Sequence, residues 1–62
     1  MPPGIYKNLK RGTEYRVLYN VKHSETLEDM VVYEELSKNE LSQFWVRPLS
    51  LFKEKFVFLR EK

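Results

Sequence analysis

Hydrophobic and polar residues alternate most regularly between Glu14 and Lys22. Tyr15, Val17, Tyr19 and Val21 fall on one side of that run, and Arg16, Asn20 and Lys22 on the other. A period of two marks a half-buried strand, and only Leu18 blurs it here. Residues 5–9 form a shorter strand candidate ahead of it, after a Pro-Pro-Gly lead-in. Lys10-Arg11-Gly12-Thr13 reads as the intervening turn, with Gly12 free to adopt a positive φ. His23-Ser24-Glu25-Thr26 is polar and turns the chain again. The next segment, 27–36, carries two signals. Leu27, Met30 and Val31 have helical spacing behind a Thr26/Asp29 capping box. Met30-Val31-Val32-Tyr33, β-branched and aromatic, favours a strand, and the strand reading is taken. Residues 37–40 form a turn, 44–47 a strand stopped by Pro48, 49–52 a single 3₁₀ turn, and 55–59 a last strand. Tyr15, Val17, Trp45, Val46, Leu49 and Phe52 are the expected core. Five short antiparallel strands at this spacing predict a mainly β fold, a small closed or nearly closed barrel in a single domain over residues 1–62.

Composition sharpens this picture. The 62-residue chain has no cysteine and no alanine but nine aromatic residues (four Tyr, four Phe, one Trp). A chain this short buries only about 60% of the surface its unfolded form exposes, so its few core positions need large side chains. Without cysteine there is no disulfide or thiolate metal site, which fits a reducing, cytoplasmic setting. The N-terminus lacks the pattern of a secretion signal, and no apolar run approaches the ~20 residues needed to span a bilayer. The net charge of +2 is unevenly distributed. Lys7, Lys10, Arg11, Arg16 and Lys22 dominate the first third, acidic residues dominate from Glu25 to Glu40, and basic residues return from Arg47.

Two boxes carry a family likeness: His23-Ser24-Glu25-Thr26 and, after Val31-Val32-Tyr33, Trp45-Val46-Arg47-Pro48. With Tyr6, Lys10, Gly12, Tyr15, Val17 and Phe52 in order around them, the chain resembles the small bacterial proteins grouped as domain of unknown function 1653. Asn8 departs from that pattern, standing where the family usually carries histidine, and the usual Gly and Arg-Phe ending is missing. The resemblance implies an SH3-like barrel and brings no function with it, since small barrels host many unrelated activities.

Catalysis finds little support in these residues. Ser24 is adjacent to His23, and on extended chain neighbouring side chains point to opposite faces, so the pair does not make a nucleophile and base. His23 and Glu25 share a face, but no nucleophile completes them. A metal site would need His23, Glu25 and a remote carboxylate, so neither metal nor other cofactor is expected. The residues instead suggest a non-enzymatic binding module for a protein, peptide or small molecule. Its recognition face is expected around His23, Glu25, Tyr33, Trp45 and Arg47, with Glu25 paired to Arg47 to join the two boxes. The alternative is an RNA- or DNA-binding barrel using Lys7, Lys10, Arg11 and Arg16 among Tyr6 and Tyr15.

Overall fold

The computed structural model describes residues 1–37 and 43–61. Five strands and one helix follow in chain order: β1 (Gly4–Asn8), β2 (Glu14–Lys22), β3 (Asp29–Glu35), β4 (Phe44–Pro48), α1 (Leu49–Lys55) and β5 (Phe56–Arg60). All strand pairs are antiparallel, in one sheet of order β4-β3-β2-β1-β5. The mainly β, five-stranded prediction holds, including the strand through Val31-Val32-Tyr33. The expected turn over 37–40 lies, from Lys38 on, outside the described residues.

Two expectations of architecture are corrected. The sheet does not close into a barrel: β4 and β5 form its two borders and do not pair with each other. In place of one 3₁₀ turn, residues 49–55 form an α-helix. Leucine, lysine and glutamate are good helix formers, and Lys53 and Lys55 in the last turn oppose the negative end of the helix dipole. Leu49 and Phe52, three apart, turn one face of α1 inward, and Phe52 is completely buried. The helix ends where Phe56 becomes extended, its N–H still bonded to the Phe52 carbonyl.

The core lies between α1 and one face of the sheet. Tyr6, Tyr15, Val17, Val31, Tyr33, Phe52 and Phe56 form its buried cluster, flanked by Met1, Trp45 and Leu49. Phe52 and Phe56 stack at 4.1 Å, and Phe52 meets Tyr6 and Tyr33 edge-on at 5.3 and 5.2 Å. Such edge and offset contacts add roughly 0.5–1.5 kcal/mol each beyond buried area. Gly4 is required at its position. Its φ is +150°, and a Cβ there would lie 2.7 Å from the Phe58 ring and 2.8 Å from the Arg60 carbonyl oxygen.

The alternation along β2 does not carry through. Val17 pairs with Tyr33 and Tyr19 with Val32, so the ladder skips Leu18. One extra residue reverses the facing of everything after it. Tyr15 and Val17 face the core, whereas Tyr19, 65% exposed, and Val21 face away from it. Asn20 takes the inward register opposite Val31, where its side chain holds both the amino group and the carbonyl of Met1. Val46 is a correction to the expected core. It lies opposite Val32 on the outer face and is 57% exposed, because Trp45 and Arg47 take the inward positions of β4.

Candidate functional site

A seven-residue helix covers only part of the inner sheet face. Beyond its C-terminal end a cleft of about 600 Å³ opens between the β1–β2 loop, the end of α1 and the inner face of β3 and β4. That volume lies in the range of small-molecule sites.

One wall is the loop. Asn8 is buried, and its Oδ1 accepts the backbone N–H groups of Lys10 at 3.0 Å and Arg11 at 2.9 Å. The Asn8 main chain closes the same turn, accepting the Gly12 N–H at 2.8 Å and donating to the Thr13 carbonyl at 2.9 Å. Gly12 has φ +76°, the left-handed geometry that glycine adopts without a Cβ clash. The Leu9 N–H bonds the Lys55 carbonyl at 2.9 Å, tying the loop to the end of α1. Lys10 and Arg11 are thus held at the cleft by a pinned backbone, with exposed side chains beside Lys55.

The opposite wall is β4 on β3. Cross-strand register sets Trp45 beside Tyr33 and Arg47 beside Val31, all on the inner face. The Trp45 indole N–H donates to Oε1 of the buried Glu35 at 3.2 Å. This satisfies the only donor of the ring from the protein side and leaves Trp45 half-buried at the cleft. The Arg47 guanidinium lies 5.4 Å from the centre of the Phe56 ring, a cation–π contact. Burial pushes the Tyr33 hydroxyl above the ordinary tyrosine range, with the nearby Arg47 charge acting in the opposite direction. Lys10, Arg11, Arg47 and Lys55 against Glu35 and Glu54 leave the lining with an excess of positive charge.

The cleft therefore joins Tyr33, Trp45 and Arg47 from the expected recognition face to Lys10 and Arg11 from the nucleic-acid alternative. Lys7 and Arg16 project from the other face, where Arg16 pairs with Glu34 at 3.2 Å. His23 and Glu25 are elsewhere too. They sit in the β2–β3 turn, at the far end of the nine-residue β2 from the Lys10–Arg11 loop, about 25 Å along the strand. His23 Nδ1 accepts the backbone N–H groups of Glu25 and Thr26 at 3.1 and 3.3 Å, so the imidazole caps the turn. The expected Glu25–Arg47 pair does not form. Among the described residues the ion pairs are Arg16–Glu34, Lys22–Asp29 and Arg60–Glu14, and the Glu25 side chain is exposed. Arg47 meets the edge of the aromatic core instead, which shields its planar group without a carboxylate from the turn.

Sequence reading missed Glu35 and Lys55, and took Asn8 only as a departure from the family pattern, not as the residue that builds the loop. Glu35 had a readable signal, since it follows Val31 and Tyr33 in steps of two and must share their face. The Asn8-x-x-Arg11-Gly12 run is likewise the composition of a side-chain-bonded turn.

The family described as "Protein of unknown function (DUF1653)" matches residues 4–61. The chain belongs to this family. The match takes in all five strands, the helix and every cleft residue named above. No curated protein matches the chain, and no solved structure matches it. Within this DUF1653 chain no helix among the described residues is long and apolar enough to cross a membrane.

Proposed function

We propose that the protein is a cytoplasmic, non-catalytic binding module whose recognition site is this cleft, and that it takes an anionic ligand with a flat, apolar part. One observation carries the reading: Arg47, Lys10, Arg11 and Lys55 share a cleft with the half-buried face of Trp45. Cations supply attraction to the anion, and an aromatic wall supplies the apolar contact that fixes its orientation. Tyr33, Trp45 and Arg47 are the recognition residues. His23 and Glu25, with the turn they form, hold the β2–β3 hairpin. The commitment of His23 Nδ1 to two backbone donors supports the non-catalytic reading, as a neutral imidazole has one acceptor nitrogen and the turn takes it.

The test is a nuclear magnetic resonance titration of the ¹⁵N-labelled protein with anilinonaphthalene sulfonate, a flat aromatic anion. Saturable shifts are expected at the Lys10 and Arg11 amides and the Trp45 indole N–H, and Arg47→Gln should weaken them. A cleft that stays silent while the probe binds elsewhere, or fails to bind, would refute the proposal.

A further inference from the structure

We infer that the chemistry recognised by this cleft is a nucleoside phosphate, free or within a single strand, with its phosphate at Lys10, Arg11 and Lys55 and its base against Trp45. The inference rests on the cleft being a ligand site and names its ligand class.

Three features favour a nucleotide. The first is the division of the walls. The loop and the helix end carry flexible cations in water, whereas the β4 wall carries a ring fixed by Glu35. A nucleotide has the same division, a charged phosphate on one side of the sugar and a flat base on the other. The second is the state of the cations. Lys10, Arg11 and Lys55 take no part in the ion pairs of the described residues, whereas Arg16, Lys22 and Arg60 do. Backbone bonds through Asn8 and Lys55 fix the main chain of these residues, so only their side chains need to be ordered on meeting a phosphate. The third is the acidic component. The exposed Glu54 carboxylate lines the same cleft, an acceptor for the amino groups of a base that a peptide dense in carboxylates cannot use. Stacking on an aromatic beside a basic groove is the general mode of single-strand binding, and it tolerates every base.

The full chain is titrated in parallel with a mixed-sequence RNA hexamer, nucleoside monophosphates, a polyglutamate peptide and anilinonaphthalene sulfonate. Trp45, the only tryptophan, reports by fluorescence, and amide shifts report the location. The hexamer is expected to quench Trp45 and shift Lys10, Arg11 and Lys55. Its affinity should fall with a logarithmic salt slope between about −0.7, for one phosphate shared by the three cations, and about −2, for a neighbouring phosphate at each. Lys10→Gln with Arg11→Gln should flatten that slope. Trp45→Leu should weaken binding roughly five- to 150-fold, the range of one stacked base. Trp45→Phe, which keeps a ring, should recover much of it and guards against a folding defect in the leucine variant. Monophosphates binding as tightly as the hexamer would support the nucleotide chemistry with free nucleotide as the source, and tighter hexamer binding would support a strand. Sulfonate binding in the cleft with no nucleotide binding at low salt overturns this inference and leaves the binding-module reading standing. So does polyglutamate occupying the cleft in preference to RNA. Silence of the cleft towards every probe overturns both.

Discussion

Phe52 is where the fold is most open to challenge by a single substitution. Its side chain is wholly buried, stacked on Phe56 and met edge-on by Tyr6 and Tyr33. Deleting the ring in Phe52→Ala exposes or empties roughly 150 Å² of apolar surface, worth about 4 kcal/mol at ~25 cal/mol per Å². Phe→Ala changes in other cores cost about 3–5 kcal/mol, which agrees. A 62-residue chain has in total only about 3–9 kcal/mol at ~0.05–0.15 kcal/mol per residue. Phe52→Ala should therefore leave much of the population unfolded at 37 °C. Phe52→Leu keeps most of the apolar volume and should remain folded with a loss of about 1–2 kcal/mol. Leu51, on the same helix but facing solvent, is the control, and Leu51→Ala should change stability by ~0.5 kcal/mol or less. Urea unfolding followed by Trp45 fluorescence and circular dichroism measures all three. At ~1 kcal/mol per molar urea the alanine variant should lose about 3 M or more in its midpoint. A midpoint within 1 M of the wild type, or an equal loss for Leu51→Ala, would show that α1 does not dock through Phe52.

Four further outcomes are expected. Asn8→Ala removes the acceptor for two loop N–H groups and should cost about 1–2 kcal/mol, with Asn8→Asp recovering most of it; equal losses in the two would refute the capping role. Leu27 is exposed at φ 62°, so Leu27→Gly should raise stability by ~1 kcal/mol, and a lower melting temperature would show that the turn is not strained there. Tyr19→Thr with Val21→Thr should be tolerated within about 1 kcal/mol, while Val17→Thr should not, because the skipped Leu18 turns the first two outward; a large loss in the double variant would contradict the bulge. Burial raises the Tyr33 pKa, so from about pH 10 the unfolded chain releases this proton before the folded one, and stability falls as pH rises; Tyr33→Phe should make that fall shallower, and an unchanged slope in alkaline unfolding curves would remove Tyr33 from the balance.

The strands were legible because five segments each carry a local signal: alternation along Glu14–Lys22, β-branched and aromatic residues around Val31-Val32-Tyr33, and Pro48 as a stop. The facing of β2 beyond Val17 was not, since one inserted residue reverses it and Leu18 suits either face. Residues 49–52 carried the inward spacing of Leu49 and Phe52 but not the second turn. The helix runs on to Lys55 and delivers Phe56, the first residue of β5, to the core. The site was half legible. Strand period two sets Trp45 and Arg47 on one face of β4, but with Val46 also expected in the core the inward face was settled only by the register of Tyr33 opposite Trp45. The pairing of Glu25 with Arg47 rested on charge complementarity, and charge carries no information about distance along a strand.

The cleft itself follows from a mismatch of lengths. A helix of seven residues is about 10 Å long, whereas five strands at ~4.8 Å spacing make a sheet roughly twice as wide. One such helix does not cover that inner face, and what it leaves bare must be lined with groups that tolerate water. The apolar cluster of Tyr6, Phe52 and Phe56 accordingly sits under α1, and the lining changes to Glu35, Trp45, Arg47 and Lys55 past the helix end. Each of these is amphipathic or charged; Trp45 and the buried Glu35 satisfy each other, while the Lys55 side chain is exposed. A solvated margin of this kind needs no backbone pinning of its cations, since surface lysine and arginine are stable when free to move. The Asn8 bonds to Lys10 and Arg11 and the Leu9–Lys55 tie go beyond that need, fixing the main chain of three cationic residues at the cleft that Trp45 also lines.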